Sequence, residues 1–369
     1  MDIIYLDNSA STRPYEAVAN AVYEAMRDNY GNPSSLHTLG VKAERAVKAA
    51  REAVAKPLKV PASDIYFTSG GTESNNLAIL GAYSALRIKG KIITAKTEHK
   101  SVLEPFKTLE NAVYLDVDSN GLTDIKHLES IIDDDTSLVS IMHVNNETGV
   151  ISPIAEIARS IKRKNPNCLF HVDAVQSYCK IDFPKGVADL ISVSAHKIHG
   201  PKGIGALYVR KGVKIIPRLY GGAHEGGIRS GTLNTPAIIG FGIAAQNALS
   251  LDHAGRLNEI MRKGLSGVVI NSPDNASPYI LNISAKGLRS EIILHSLEQR
   301  GVIVSSGSAC SSNRPSPSHV LTAMGLSKEL VDSSIRISFS ALNTEDEVKE
   351  AVKIINEVIK ELKSRQGIM

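Results

Sequence analysis

Cysteine, net charge and long apolar runs are all scarce in this 369-residue sequence. Its three cysteines, Cys168, Cys179 and Cys310, form no Cys-x-x-Cys pair, which argues against a zinc site or a disulfide framework and favours a reducing compartment. The 42 basic residues exceed the 38 acidic ones by only four, and no basic block with interleaved aromatic residues suggests a nucleic-acid surface. We therefore expect no metal and no direct nucleic-acid partner.

Apolar runs never reach the roughly 18–20 residues that a membrane-spanning helix needs. The opening residues, MDIIYLDNSA, carry acids where a signal peptide would have a basic region. We therefore expect a cytoplasmic protein without membrane association. The hydrophobic share of 43% is typical of a globular protein, and the length suggests two domains or one large domain with an appendage.

Short β-branched runs alternate with longer helical stretches through the first two thirds of the chain. The runs predict strands at 65–69, 91–96, 112–117, 137–144, 168–173, 189–195 and 203–210. The intervening segments include predicted helices at 74–88, 99–109 and 153–164. Most of the strands are apolar on both faces, which is typical of a largely parallel sheet covered by helices. The predicted fold class is α/β.

The pattern changes near residue 235. The sequence there predicts one long helix at 235–265, strands at 279–284 and 302–306, a helix at 289–300, a Ser-rich loop at 305–318 and a terminal helix at 344–365. A smaller α+β domain fits this order of elements. We expect a large domain over 16–254 and a small domain formed by 1–15 and 255–369.

The segment TSGGTESNN at 68–76 follows a predicted strand and opens a helix. Gly70 and Gly71 allow close backbone approach, while Thr72 and the free N–H groups face the same point, as in an anion site. An ordinary strand-to-helix turn with a Thr cap is the structural alternative.

Two further segments place reactive groups after strands. In HVDAVQS, Asp173 ends an apolar strand and Gln176 follows, at the edge where ligands of open α/β sheets bind; Asp173 could also be only a helix cap. In SAHKIHGPKG, Lys197 follows a strand and precedes a Gly/Pro-rich turn. Burial can lower the pKa of such a lysine and make it a Schiff-base nucleophile; the alternative is a surface loop lysine.

These three features together match the needs of pyridoxal 5'-phosphate. Its phosphate requires N–H donors, its pyridine nitrogen requires a carboxylate that keeps it protonated, and its aldehyde requires a lysine. The three features occur in one chain, which favours this cofactor over three unrelated structural roles.

The chain resembles the cysteine desulfurases, in the class V aminotransferase branch of fold-type I pyridoxal phosphate enzymes. The matching segments span nearly the whole chain and include YLDNSASTRP, FTSGGTESNN, TEHKSVLEP, HVNNETG, HVDAVQS, SAHKIHGPKGIGALYV, IRSGTLN, SSGSACSS and SSIRIS. The resemblance implies a fold-type I transferase with a large, mostly parallel-sheet domain and a smaller α+β domain.

The resemblance also implies roles around the cofactor. Lys197 would bond to its aldehyde carbon, Asp173 would contact the pyridine nitrogen, Gln176 the phenolic oxygen, and His99 would stack on the ring and relay protons. The phosphate would be held by Gly71, Thr72, Ser194 and His196, with Thr232 reaching the phosphate of the partner subunit across a homodimer interface.

Substrate and sulfur chemistry are implied in the same way. Asn146 and Arg336 would hold L-cysteine, Arg336 by a bidentate contact with its carboxylate. Cys310, in a Gly/Ser-rich segment, would take the sulfur as a persulfide and release L-alanine, whereas Cys168 and Cys179 lie in or beside apolar runs and are expected to be inert. The expected acceptor is a protein such as an iron–sulfur scaffold, for cluster assembly or tRNA thiolation.

Alternatives remain open for several of these residues. His99 could cap a helix, and Arg336 could form a core ion pair. Asn145 could face the site in place of Asn146. Ser194 and His196 could merely shape the turn that presents Lys197. For the whole chain, the alternatives are a selenocysteine lyase or another class V enzyme such as a small-amino-acid transaminase, and a catalytically silent assembly protein.

Overall fold

The computed structural model describes residues 3–87, 89–247, 249–306 and 317–367. Its strands are β1 (Ile4–Tyr5), β2 (Ile65–Thr68), β3 (Ile92–Ala95), β4 (Ala112–Leu115), β5 (Leu138–Met142), β6 (Leu169–Asp173), β7 (Leu190–Ser194), β8 (Gly205–Val209), β9 (Val269–Ile270), β10 (Ile280–Ser284), β11 (Val302–Ile303), β12 (Ser305–Ser306) and β13 (Ser334–Ser338).

The helices pack around these strands. They are α1 (Glu16–Asp28), α2 (Thr38–Ala55), α3 (Gly71–Asn76), α4 (Ala82–Ala85), α5 (Lys100–Lys107), α6 (Ile125–Ile131), α7 (Ile154–Lys164), α8 (Thr235–Ala245), α9 (Leu251–Gly264), α10 (Ser290–Glu298), α11 (His319–Ala323), α12 (Lys328–Asp332) and α13 (Glu345–Arg365). A π-helical turn, Leu77–Gly81, joins α3 to α4.

The larger sheet, as far as the chain is described, has seven strands in the order β2-β8-β7-β6-β5-β3-β4. Strands β3 to β7 run parallel, and β8 is antiparallel to both of its neighbours. Every residue of β5, β6, β7 and β8 is buried. The predicted α/β class with a mostly parallel, two-sided sheet is confirmed.

Two smaller sheets lie outside this one. Strands β12, β13, β10 and β9 form one of them, and β1 pairs with β11 in parallel to form the other. The prediction of a single strand at 302–306 is therefore wrong. Its first half, β11, pairs with β1, and its second half, β12, pairs with β13. Pairing with a distant strand is not encoded in the local pattern.

The single long helix predicted at 235–265 is also wrong. Helix α8 ends at Ala245 and α9 begins at Leu251. The Ser250 hydroxyl accepts a hydrogen bond from the His253 N–H at 3.3 Å and so caps a new helix. Ser250 is the local signal for this break.

The apolar cores follow the two groups of sheets. The largest cluster packs the seven-stranded sheet against helices such as α2, α7 and α8. A second cluster joins Ile4 and Leu6 to Leu257, Ile337 and Ile355. The predicted domain division, with a large domain over 16–254, stays a prediction. The packing of Ile4 and Leu6 with this second cluster supports it.

No helix within the described residues has both the length and the apolar character needed to cross a membrane.

Candidate active site

Neighbouring parallel strands bring the predicted side chains to one edge of the sheet. Strand β6 ends in Asp173, and β7 ends three residues before Lys197. His99 follows β3 and Asn146 follows β5, each by four residues. The carboxyl ends of parallel strands form a crevice where ligands bind. These residues line a cavity of about 310 Å³.

Most of the predicted site residues line this cavity: Gly71, Thr72, His99, Asn146, Asp173, Gln176, Ser194, His196, Lys197 and Arg336. Thr232 is exposed and does not line it. Cys310 lies outside the described residues. Segments far apart in the sequence thus meet at one place, as the motif analysis predicted.

Lys197 lies in a short 3₁₀ turn, Ala195–Lys197, directly after β7. Its Nζ donates hydrogen bonds to the carbonyl of Ser9 at 2.5 Å and to that of Ala10 at 2.9 Å. The amine therefore points into the cavity, and the surface-lysine alternative is excluded. Ser9 and Ala10 escaped the sequence analysis because a backbone carbonyl has no side-chain signature.

Asp173 is buried and accepts two hydrogen bonds. The side-chain amide of Asn75 donates to Oδ2 at 2.7 Å, and the backbone N–H of Val175 donates to Oδ1 at 3.0 Å. Asp173 thus makes the capping contact that was the structural alternative, and it also lines the cavity. Nearby Glu98 is fully buried, and burial raises its pKa well above the ordinary value, with the charge of Asp173 adding to the rise. The backbone N–H of Met142, which donates to Glu98 Oε1 at 2.7 Å, opposes this rise.

His99 both caps a helix and lines the cavity. Its Nδ1 accepts the backbone N–H of Ser101 at the start of α5, at 3.1 Å, and lies 2.7 Å from the Ser101 hydroxyl. Burial lowers the pKa of His99, the charge of Asp173 opposes this, and Lys197 adds to the lowering. The imidazole is therefore neutral at neutral pH, as stacking on a pyridine ring favours.

The predicted phosphate cradle lies at the start of α3. Gly71, Thr72, Ser194 and His196 line the main cavity and also an adjoining one. A Cβ at Gly71 would lie only 2.8 Å from Val175 Cγ2, so the glycine fits closely. Burial, with Lys197 and Lys202 nearby, lowers the pKa of His196 to about 3. The cradle therefore offers hydroxyl and neutral imidazole groups beside backbone N–H donors.

Arg336, on β13, reaches the cavity from the second group of sheets. Its Nη2 donates to Asp7 Oδ1 at 2.8 Å, and its Nη1 donates to the carbonyl of Asn146 at 2.9 Å. Arg336 thus forms an ion pair with Asp7, as the structural alternative predicted, and it also lines the cavity. Asn146 lines the cavity, whereas the Asn145 amide donates to the carbonyl of Thr97 at 3.0 Å. The geometry therefore favours Asn146.

Unpartnered buried atoms test whether pyridoxal phosphate fits. Ten side-chain polar atoms of the described residues are buried without a hydrogen-bond partner. Four of them belong to residues that line the cavity: Asn75 Oδ1, Gln176 Oε1, Ser194 Oγ and Arg336 Nε. Buried polar groups without partners are costly, so a polar ligand is expected there. A lysine, a carboxylate and hydroxyl groups in one cavity fit this cofactor.

Besides Ser9 and Ala10, five lining residues were missed by the sequence analysis: Asn75, Ser101, Met142, Val144 and Val175. Asn75 lies within the TSGGTESNN motif, four residues after Gly71, so helical spacing could have identified it. Ser101 follows His99 by two residues and has no comparable signal. The described residues contain no group of three or more His, Cys, Asp or Glu side chains that could hold a metal ion.

The family model "Aminotransferase class-V" matches residues 4–351. The chain is 41% identical to a cysteine desulfurase of Nostoc sp. over 380 aligned residues, covering 99% of this chain and 94% of that protein. It is 44% identical to the cysteine desulfurase IscS of Vibrio cholerae, covering 98% and 94%. A solved structure described as a NifS-like protein superposes with a TM-score of 0.92 at 39% identity, covering 98% of this chain and 100% of that one. The chain belongs to the class V aminotransferase family and, within it, to the cysteine desulfurases.

Proposed function

We propose that this protein is a cysteine desulfurase, which uses pyridoxal phosphate to remove sulfur from L-cysteine and releases L-alanine. The observation that carries the proposal is the meeting of Lys197, Asp173 and Arg336 in one cavity. The first two suit the cofactor, and the third suits the carboxylate of an amino acid. The named relatives, more than 40% identical over nearly the whole chain, support the same reaction.

The cofactor would be held by the residues around the cavity. Lys197 would bond to its aldehyde carbon, Asp173 would contact the pyridine nitrogen, Gln176 the phenolic oxygen, and His99 the face of the ring. Its phosphate would be held by Gly71, Thr72, Ser194 and His196. When bound, pyridoxal phosphate supplies an electron sink that stabilises negative charge on the substrate Cα.

Substrate binding depends on Arg336 and Asn146. The guanidinium pairs with the carboxylate of L-cysteine, a contact with two parallel hydrogen bonds. Its buried Nε has no partner among the described residues and is available for that contact. After the substrate amine has replaced it on the cofactor, Lys197 Nζ would take the proton from the substrate Cα, and the neutral imidazole of His99 is suited to relay protons at the same site.

Cys310 would accept the sulfur. Its thiolate would attack the substrate Sγ, so that a sulfur–sulfur bond forms as the Cβ–S bond breaks. The electron pair of that bond stays with Cβ, which takes up a proton and becomes the methyl group of L-alanine, and a persulfide remains on the enzyme. Cys168 and Cys179 are unsuited to this role. Burial raises the pKa of each to about 12, so both remain protonated near neutral pH.

We further propose a homodimer and a protein acceptor for the sulfur, such as an iron–sulfur scaffold. The side chains of Tyr30, Leu36 and Tyr220 are large and mostly exposed, so each is accessible for contact with another chain. Thr232 is exposed too, consistent with a contact to the phosphate of the partner subunit.

The test is to incubate the purified protein with pyridoxal phosphate and L-cysteine and to measure alanine, sulfide and protein-bound persulfide. Alanine and persulfide should form in equal amounts before any added thiol releases sulfide. Lys197→Ala should form neither and should lack the visible absorbance of the bound cofactor. Turnover of L-selenocysteine without turnover of L-cysteine would favour a selenocysteine lyase. Absence of both reactions in a cofactor-loaded protein would overturn the proposal.

A further inference from the structure

We propose that Asn75 is a positioning residue of this reaction: it connects the Asp173 carboxylate to His99 through the Ser101 hydroxyl and thereby keeps the His99 proton on Nε2. The inference rests on the proposed function for its catalytic consequence. The hydrogen-bond arrangement itself does not depend on which substrate is used.

The amide of Asn75 bridges two side chains of the cavity. Its Nδ2 donates to Asp173 Oδ2 at 2.7 Å and to Ser101 Oγ at 2.8 Å. The nitrogen must face Asp173, because a carboxylate accepts hydrogen bonds and offers no proton in return. Both amide protons of Asn75 are therefore used, and the side chain is almost fully buried.

The direction of the next hydrogen bond follows from this one. Because Ser101 Oγ accepts from Asn75, its single proton is available for His99 Nδ1, 2.7 Å away. The backbone N–H of Ser101 also donates to Nδ1, at 3.1 Å. Nδ1 thus accepts from two donors, and the neutral imidazole must carry its proton on Nε2.

Helix capping alone does not explain this arrangement. The cap at the start of α5 needs only the backbone N–H of Ser101. The hydroxyl of Ser101 and the amide of Asn75 are additional buried polar groups, and both residues line the cavity beside Asp173 and His99. Their alignment on one imidazole nitrogen is what a proton-relaying histidine requires.

A fixed tautomer decides what His99 can do. With Nδ1 accepting from Ser101, the one proton of the neutral ring lies on Nε2, so the ring acts through Nε2 as a hydrogen-bond donor. The other charged or titratable groups that act on it are Lys197, His319 and the adjacent Lys100, besides Asp173. Asn75 is the residue that transmits the position of Asp173 to the ring through hydrogen bonds.

Asn75→Asp is the sharpest variant, because it keeps the size of the side chain and replaces a donor by an acceptor. The Ser101 hydroxyl would then donate to the new carboxylate and release His99 Nδ1. The new carboxyl lies beside Asp173, and two carboxyl groups this close hold one proton between them, so the effect on His99 comes from the hydrogen bond that it loses. Asn76→Asp is the matched control: it makes the same substitution one residue later, where the amide of Asn76 donates to the carbonyl of Thr72 at 2.9 Å.

The first measurement uses cofactor-free protein with ¹⁵N-labelled histidine, in which His99→Gln identifies the His99 signals. Wild type should show the Nε2–H tautomer. Asn75→Asp should raise the His99 pKa by about one unit or more and populate the other tautomer. Asn76→Asp should leave the tautomer unchanged and shift the pKa less. An unchanged tautomer in Asn75→Asp, or an equal effect of Asn76→Asp, would overturn the inference.

The second measurement is kinetic and separates positioning from substrate binding. Asn75→Asp should lower kcat by about tenfold or more and shift the acidic limb of its pH profile, while the KM for L-cysteine changes little. Ser101→Ala should make the Asn75→Asp effect smaller, because the connection is already broken. If Asn75→Asp lowered kcat equally in the wild-type and Ser101→Ala backgrounds, the proposed connection from Asn75 through Ser101 to His99 would be wrong. Because the first measurement requires no turnover, it stands even if L-cysteine is not the substrate.

Discussion

Arg336 and Asp7 form an ion pair across 329 positions of the chain, with Nη2 donating to Oδ1 at 2.8 Å. Asp7 belongs to the N-terminal segment that also provides the Ser9 and Ala10 carbonyls around Lys197. The same segment therefore contacts both the guanidinium that suits the substrate carboxylate and the amine that suits the cofactor. This contact fixes the guanidinium at the edge of the cavity.

The first prediction concerns substrate binding. Arg336→Ala should weaken productive binding of L-cysteine by ~2–4 kcal/mol, the order expected when a charge loses its buried partner, and should leave the cofactor absorbance intact. The KM and the visible spectrum are the measurements. Asp7→Asn is the control, since it removes the ion pair and retains the guanidinium; its KM should rise far less. Normal turnover of Arg336→Ala at low L-cysteine would make Arg336 a purely structural residue.

The second prediction separates the three cysteines. Cys310→Ser should still bind L-cysteine and change the visible spectrum, but alanine and persulfide formation should fall to near background, because a hydroxyl stays protonated near neutral pH. Cys168→Ser and Cys179→Ser should retain turnover and change stability at most, since both thiols are protonated. If Cys310→Ser released alanine at a near-normal rate without added thiol, a lyase that expels sulfur directly would be the better description.

The third prediction concerns stability at low pH. Burial lowers the pKa of His171 to about 3, and its two ring nitrogens contact the hydroxyls of Ser140 and Ser192 at 2.8 and 3.0 Å. The unfolded chain takes up this proton below about pH 6.5, whereas the folded chain does not. The stabilising contribution is therefore complete above pH 6.5 and is lost as the pH falls from there towards 3.

Urea unfolding across this pH range tests that expectation. The free energy of unfolding should fall by up to about 1.4 kcal/mol per pH unit for each such histidine. His171→Gln should have a flatter pH dependence, whatever its absolute stability. His295→Gln, at an exposed position, should keep the slope of the wild type. Identical slopes for His171→Gln and wild type would show that His171 does not contribute.

The fourth prediction concerns a buried ion pair. Both oxygens of Glu225 accept from the guanidinium of Arg51 at 2.7 Å, and the backbone N–H of Phe67 donates to Glu225 Oε2 at 2.6 Å. Arg51→Ala leaves a buried carboxylate without its cation and should lower the free energy of unfolding by ~3 kcal/mol. Arg27→Ala, which breaks an exposed pair with Asp28, should change thermal unfolding little. Equal effects of the two variants would mean that burial adds nothing to the pair.

Much of the fold was predictable because its signals are local. Strands buried on both faces appear as continuous apolar runs, and those runs identified β2 to β8. The site residues His99, Asp173 and Lys197 follow such strands, so parallel topology alone brings them to one edge. The break between α8 and α9 also had a local signal, the capping Ser250, which the continuous helical pattern concealed.

The sequence by itself determined the α/β class, the family and the side-chain types of the site, because each depends on residues close together in the chain. Tertiary structure alone decided the pairing of Arg336 with Asp7, the carbonyls around Lys197, and the connection from Asp173 through Asn75 and Ser101. These contacts join segments tens to hundreds of residues apart. Their hydrogen-bonding groups acquire partners only when packing removes water, and no local periodicity records which groups will meet.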